Sequence, residues 1–128
     1  MHNELIQAAK NAVINSYSPY SCFAVGAALL AGGRVYTGTN VECASYGGTI
    51  CAERTAFVKA VSEGERIFEA IAVAADGRAC FPCGICLQFM AEFCDPDNFV
   101  ILLSEESEGG SQSKRYTLRE LLPYNFKL

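Results

Sequence analysis

Apolar residues recur at helical spacing between Glu4 and Asn15, at Leu5, Ile6, Ala8, Ala9, Ala12 and Val13, and predict an amphipathic helix with Asn3 as its N-cap. Ser18-Pro19 breaks the pattern. Phe23 to Leu30 and Arg34 to Thr39 flank Gly32-Gly33 and predict a β-hairpin. Gly47-Gly48 precedes a second helix, from about Cys51 to Ser62 and ending near Gly64. Ile67 to Ala74 reads as a buried strand, Asp76-Gly77 as a turn, and Cys83 to Phe93 as a helix that starts just after Pro82. Phe99 to Leu103 is a fourth strand. Ser104 to Ser113 is polar, contains Gly109-Gly110 and reads as a loop. A short strand near Lys114 to Thr117 and one helical turn from Leu118 to Leu122, stopped by Pro123, complete the chain.

The order α-β-β-α-β-α-β-β implies an α/β fold, a three-layer α/β/α sandwich around a five-stranded mixed sheet. Too few residues separate the last two strands for a crossover helix, so they form an antiparallel pair. With no repeat and no linker, residues 1–128 form a single domain.

Composition narrows the function. Ten Lys plus Arg stand against fourteen Asp plus Glu, a net charge of −4, and no basic cluster exceeds Lys114-Arg115. A nucleic-acid backbone binder needs a concentrated basic surface, so a small-molecule substrate is expected. The first residues lack a basic region followed by an apolar stretch, and the longest apolar run, Phe23 to Ala31, is about half a membrane span. A cytoplasmic protein without membrane contact is the expectation. Seven cysteines in such a setting favour metal or free thiols over disulfides.

The chemistry is concentrated in Cys51-Ala52-Glu53 and Pro82-Cys83-Gly84-Ile85-Cys86. Three thiols supply three legs of a zinc tetrahedron, and a nearby carboxylate addresses the fourth. Structural zinc sites close with four protein ligands, whereas catalytic ones keep a position for water. This matches the established pattern of zinc-dependent nucleobase deaminases, in which the Glu is not a ligand. Cys-x-x-Cys alone also fits a redox pair. Cys80 repeats the spacing with Cys83, but Pro82 sets Cys83 and Cys86 in one helical turn and leaves Cys80 upstream. The ligands are therefore expected to be Cys51, Cys83 and Cys86, one zinc per chain, with Glu53 as acid and base. Three thiolates would leave the centre with a charge of about −1, and Arg54 is the cation placed to offset it. Cys22, Cys43, Cys80 and Cys94 read as free thiols, and His2 is not a ligand.

Beyond that core, Ser18-Pro19-Tyr20-Ser21-Cys22-Phe23-Ala24-Val25-Gly26-Ala27-Ala28, Gly38-Thr39-Asn40-Val41-Glu42, Ala44-Ser45-Tyr46-Gly47, Cys51-Ala52-Glu53-Arg54-Thr55-Ala56, Pro82-Cys83-Gly84-Ile85-Cys86-Leu87-Gln88 and Leu121-Leu122-Pro123 occur in that order. In this the chain resembles the homotetrameric cytidine deaminases over nearly its whole length. The resemblance implies zinc-dependent hydrolysis of cytidine or 2′-deoxycytidine in pyrimidine salvage, by a homotetramer whose sites are shared between subunits. It implies that Asn40 and Glu42 hold the ribose 3′-hydroxyl, that Phe23 packs on the pyrimidine, and that Glu53 and the Ala52 backbone meet the base. Ser45 and Tyr46 would lie near a neighbouring subunit's site, and Phe126 would reach across to stack on the neighbour's base. Four positions depart from the family pattern: Cys22 stands where a basic residue is common, Cys43 where Asn is, Leu87 where Arg is, and Tyr124 where Gly is. A rival within the superfamily is a deaminase of another cytosine-containing molecule, such as a nucleoside antibiotic. Asn40 with Glu42 argues against that rival, because the pair answers a ribose hydroxyl.

Overall fold

The computed structural model describes residues 2–107 and 109–128. Five strands, β1 (Val25–Ala31), β2 (Arg34–Thr39), β3 (Phe68–Ala75), β4 (Val100–Ser107) and β5 (Gly110–Thr117), form one sheet in the order β2-β1-β3-β4-β5. Only β3 and β4 run parallel, and the helix between them, α3 (Gly84–Phe93), makes the crossover such a pair requires. The final pair is antiparallel, as its short connection demands.

Strand residues alternate strictly between two cores. Ala28, Leu30, Ala70, Ala72, Ala74, Val100 and Leu102 face α1 (His2–Ala12), which contributes Leu5 and Ala9. Ala27, Leu29, Ile71, Val73, Ile101 and Leu103 face α2 (Ala52–Ser62) and α3, which contribute Phe57 and Met90. The expected three layers are therefore present, with one helix on one face and two on the other. Phe57 lies at the centre of the two-helix side, 5.1 Å from the Phe68 ring and 6.0 Å from that of Phe99. Burial of such rings is the main source of stability in that core.

Two glycines set how closely the helices approach. A Cβ on Gly26 would lie 2.2 Å from the Ala9 carbonyl oxygen, and one on Gly38 would lie 2.5 Å from both the Ala52 carbonyl oxygen and the Ala56 nitrogen. Gly26 thus seats α1 on β1, and Gly38 seats the first turn of α2 on β2. At the β1–β2 turn, Gly32 (φ 56°) and Gly33 (φ 75°) both take the left-handed conformation a two-residue hairpin needs.

Two expectations fail. The helix already includes Asn3, which is inside α1 and cannot be its N-cap; Glu4 supplies the acidic group of the first turn. Ser104 to Ser113 is not a loop, because β4 continues to Ser107 and β5 starts at Gly110, with Ser104 opposite Ser113 and Glu105 opposite Gln112. The ladder is held by backbone hydrogen bonds, which require no apolar side chains. Lys114 pairs with Glu105 across this polar extension, at 3.6 Å. Of the expected loop, Glu108 lies outside the described residues.

Candidate metal centre and substrate pocket

Cys51 and Cys83 are the N-cap residues of α2 and α3, each in extended backbone conformation immediately before its helix. Cys86 follows in the first turn of α3, and its N–H points at Cys83 Sγ, 3.5 Å away. Both helices begin at the same end of the sheet, so the three Sγ atoms lie within 4.8 Å of one another, with Cys51 and Cys83 3.9 Å apart. Tetrahedral zinc with Zn–S bonds of typical length spaces its sulfurs about 3.8 Å apart. Three soft donors at that spacing, with the positive ends of two helices behind them, fit a zinc ion.

Arg54 donates from Nε to Cys86 Sγ (3.4 Å) and from Nη2 to Cys51 Sγ (3.5 Å). It therefore holds two of the three sulfurs. The Cys51 thiol is pulled down to about 5 by its hydrogen bond with Cys86 and further by Arg54 and Cys83. That same hydrogen bond, together with burial, pushes Cys86 up, so the first proton of the pair leaves Cys51. Cys80 is raised to about 11 by burial and then by the charges of Glu53, Cys51 and Cys83. It lies outside the three-sulfur cluster, as its upstream position suggested. All seven cysteines are free of disulfides.

Glu53 stands in the first turn of α2, only 3% exposed. Burial, with the Cys51 charge adding to it, pushes its carboxyl up to about 7. A pocket of about 250 Å³ opens over these groups and brings together Phe23, Asn40, Glu42, Cys51, Ala52, Glu53 and Cys83. Ser21, Thr49 and Phe81, which sequence reasoning passed over, also line it, as do Val25 and Cys80. Ser21 sits within the Ser18–Ala28 motif, and its serine was the available signal.

Asn40 and Glu42 organise the pocket's outer loop. The Asn40 side chain donates to the Phe23 carbonyl (2.8 Å) and accepts from the Val25 N–H (2.9 Å) and the Ser16 hydroxyl. The Glu42 carboxylate accepts from the Tyr20 N–H (3.0 Å), the Ser21 N–H (3.1 Å) and the Ser21 hydroxyl. The Ser21 hydroxyl is the strongest influence holding the Glu42 carboxyl below its ordinary value of 4.5. The Glu42 carboxylate keeps one acceptor position, and the Asn40 amide one N–H, for a further partner.

Three sequence candidates lie outside this pocket. Tyr46, mostly exposed, meets the edge of Tyr20 (5.7 Å) in an adjoining hollow of about 310 Å³ that also touches Ser21, Glu42 and Thr49. Ser45 is exposed, and its carbonyl accepts from the Cys43 thiol at 2.9 Å. Phe126 lies along the outside of α3, in a groove with Ile85, Phe89 and Phe93, and its carbonyl accepts from Gln88 Nε2 at 2.7 Å. Leu87, where a basic residue was common, is buried in the two-helix core.

Residues 1–103 match the model of the cytidine and deoxycytidylate deaminase zinc-binding region. A probable cytidine deaminase of Dictyostelium discoideum is 55% identical over 93 residues, which span 70% of this chain and 63% of that protein. The cytidine deaminase of Sporosarcina psychrophila is 46% identical over 125 residues, 96% of this chain and 89% of the relative. The crystal structure of cytidine deaminase from Burkholderia pseudomallei superposes with a TM-score of 0.87 at 42% identity, covering 98% of this chain and 99% of that one. The chain belongs to the zinc-binding cytidine and deoxycytidylate deaminase family.

Proposed function

We propose that the protein hydrolyses cytidine and 2′-deoxycytidine to uridine and 2′-deoxyuridine, with release of ammonia, as a step of pyrimidine salvage. The observation that carries this reading is a buried carboxyl, raised to about 7, in a pocket lined by Cys51 and Cys83 of the three-thiol cluster. Cys51, Cys83 and Cys86 would hold the zinc, which supplies the Lewis acidity that makes water a nucleophile near neutral pH.

Glu53 does the proton work. Its carboxylate takes a proton from the attacking water and passes it to N3 of the pyrimidine, which makes C4 more electrophilic. The second proton of the water goes through Glu53 to the departing amine, so water and cytidine leave as uridine and ammonia. A carboxyl near neutrality both accepts and returns a proton readily, which a surface glutamate does poorly at that pH. Phe23 packs on the base, the Ala52 backbone meets it, and Asn40 and Glu42 address the ribose 3′-hydroxyl. Arg54, by hydrogen-bonding two sulfurs, reduces the negative charge that would otherwise weaken the metal as an acid.

The working assembly is a homotetramer with Ser45, Tyr46 and Phe126 near a neighbouring subunit's site. Phe126 and Ile85 are largely exposed on the groove along α3, away from their own pocket, which leaves them free to meet another copy. The compartment is the cytoplasm, where reduced thiols suit a three-sulfur site. Among the described residues no helix is long and apolar enough to cross a membrane.

The test couples metal analysis to the absorbance of cytidine. Purified protein should contain about one zinc per chain, sediment as a tetramer and consume cytidine. Cys86→Ala should lose zinc and turnover together, whereas Cys80→Ala keeps both. Zinc retained in Cys86→Ala and lost in Cys80→Ala would overturn the ligand set, and a zinc-loaded protein inert toward both nucleosides would overturn the activity.

A further inference from the structure

The segment between β3 and α3 forms one side of the pocket mouth, and it carries a cation that the proposed mechanism does not use. After β3 ends at Ala75, Gly77 turns the chain in the left-handed conformation (φ 74°), and Cys80 and Phe81 then line the pocket. Phe81 is secured from behind by the Tyr116 ring of β5, 5.5 Å away. Arg78 lies between these points, exposed, with its guanidinium carbon 5.0 Å from the centroid of the Phe23 ring. Among the described residues it makes no ion pair. That separation is within the range in which a cation is attracted to the face of an aromatic ring.

The backbone of Phe23 is already fixed, its N–H donating to the Ser21 hydroxyl (3.1 Å) and its carbonyl accepting from Asn40. What those bonds leave free is the rotation of the ring. The half-buried ring packs against the two-helix core, and the Arg78 guanidinium lies over it. We propose that Arg78 is a positioning residue: its guanidinium, held over Phe23, fixes that ring as the wall against which the substrate base packs. This rests on the reading of Phe23 as a substrate contact. A wall of this kind touches the base equally before and during the reaction, so its loss raises KM and leaves kcat nearly unchanged.

The experiment is a steady-state cycle with cytidine on zinc-loaded wild type, Arg78→Ala, Phe23→Leu and the double variant, with Arg78→Lys and Arg78→Gln as controls. Arg78→Ala should raise KM roughly two- to fivefold, the range expected for an exposed cation–ring contact, with kcat and zinc content retained. Arg78→Lys should recover much of the loss and Arg78→Gln none. Because Leu has no aromatic face, the double variant should be no worse than Phe23→Leu alone. Additive effects, a fall in kcat alone, or a loss confined to a 5′-phosphorylated substrate would each overturn the inference, the last by making Arg78 a direct anion contact. An unchanged KM in Arg78→Ala beside an impaired Phe23→Leu sinks the role of Arg78 and leaves the pocket reading standing. An unchanged KM in Phe23→Leu sinks the substrate contact itself, and the role of Arg78 with it.

Discussion

Under α1 the sheet is paved with alanine, Ala28, Ala70, Ala72 and Ala74 around Leu5 and Ala9, whereas the opposite face presents Leu29, Ile71, Val73, Ile101 and Leu103 to two helices that contribute Phe57 and Met90. Small side chains let a single helix lie close against the strands and close that side off. Larger ones hold α2 and α3 over the other face, side by side, with their N-termini at one end. A metal centre with one open position needs donors from more than one segment, and only the two-helix face brings two helix starts together. The same sheet thus carries packing on one face and packing plus chemistry on the other.

If that division holds, the largest effect belongs to Glu53. Glu53→Gln keeps size and polarity but cannot carry a proton, so turnover should fall by two to four orders of magnitude or more, with zinc and fold retained. Leu5→Met, a volume-conserving change on the α1 side, should leave turnover at the wild-type level. Steady-state assays with zinc determined on the same samples make the comparison, and a large kinetic loss in Leu5→Met would break the division.

The two seating glycines sharpen it. Gly26→Ala and Gly38→Ala each force a methyl group into backbone atoms, and each should cost about 1–3 kcal/mol by denaturant titration. Their consequences should then differ. Gly38→Ala displaces the turn that carries Cys51 and Glu53, so the folded fraction should bind zinc more weakly and turn over more slowly. Gly26→Ala moves only α1, and its folded fraction should keep both properties. Equal zinc affinity in the two variants would show that the site does not depend on the seating of α2.

The smallest effect concerns the pocket's outer loop. The Glu42 carboxyl is held below 4.5 in the folded chain, chiefly by the Ser21 hydroxyl, so its contribution to stability is fully present above that value. It is lost as pH falls through the lower, folded value. Glu42→Gln should therefore be less stable than wild type at neutral pH, with the gap narrowing below pH 4.5. A gap that stays constant into acid would mean that the charge of Glu42 does not hold the loop.

Local signals carried much of the fold. Alternation of Ala with Ile and Val from Ala70 to Ala74 shows a strand buried on both faces, and Gly32-Gly33 marks a hairpin because both positions need positive φ. The outer parts of β4 and β5 left no such trace, since a ladder made by backbone groups accepts serine and glutamate without penalty. The helix start was misplaced for a related reason: Asn3 is a good cap by residue type, but residue type does not say whether the helix has already begun.

The site divides in the same way. The chain by itself determined which thiols and which carboxyl are candidates for metal and proton chemistry, because thiol softness and carboxylate chemistry are properties of residue type, and Pro82 before the helix start made Cys83 and Cys86 a pair. Tertiary structure alone decided that Cys51 comes within 3.9 Å of Cys83, that burial pushes the Glu53 carboxyl up to about 7, that Asn40 braces the Phe23 backbone and that Arg78 lies over the Phe23 ring. Each of these depends on the position and orientation of groups brought together by strand pairing and helix seating. Small shifts in register or crossing distance would separate them without altering any residue's chemical type.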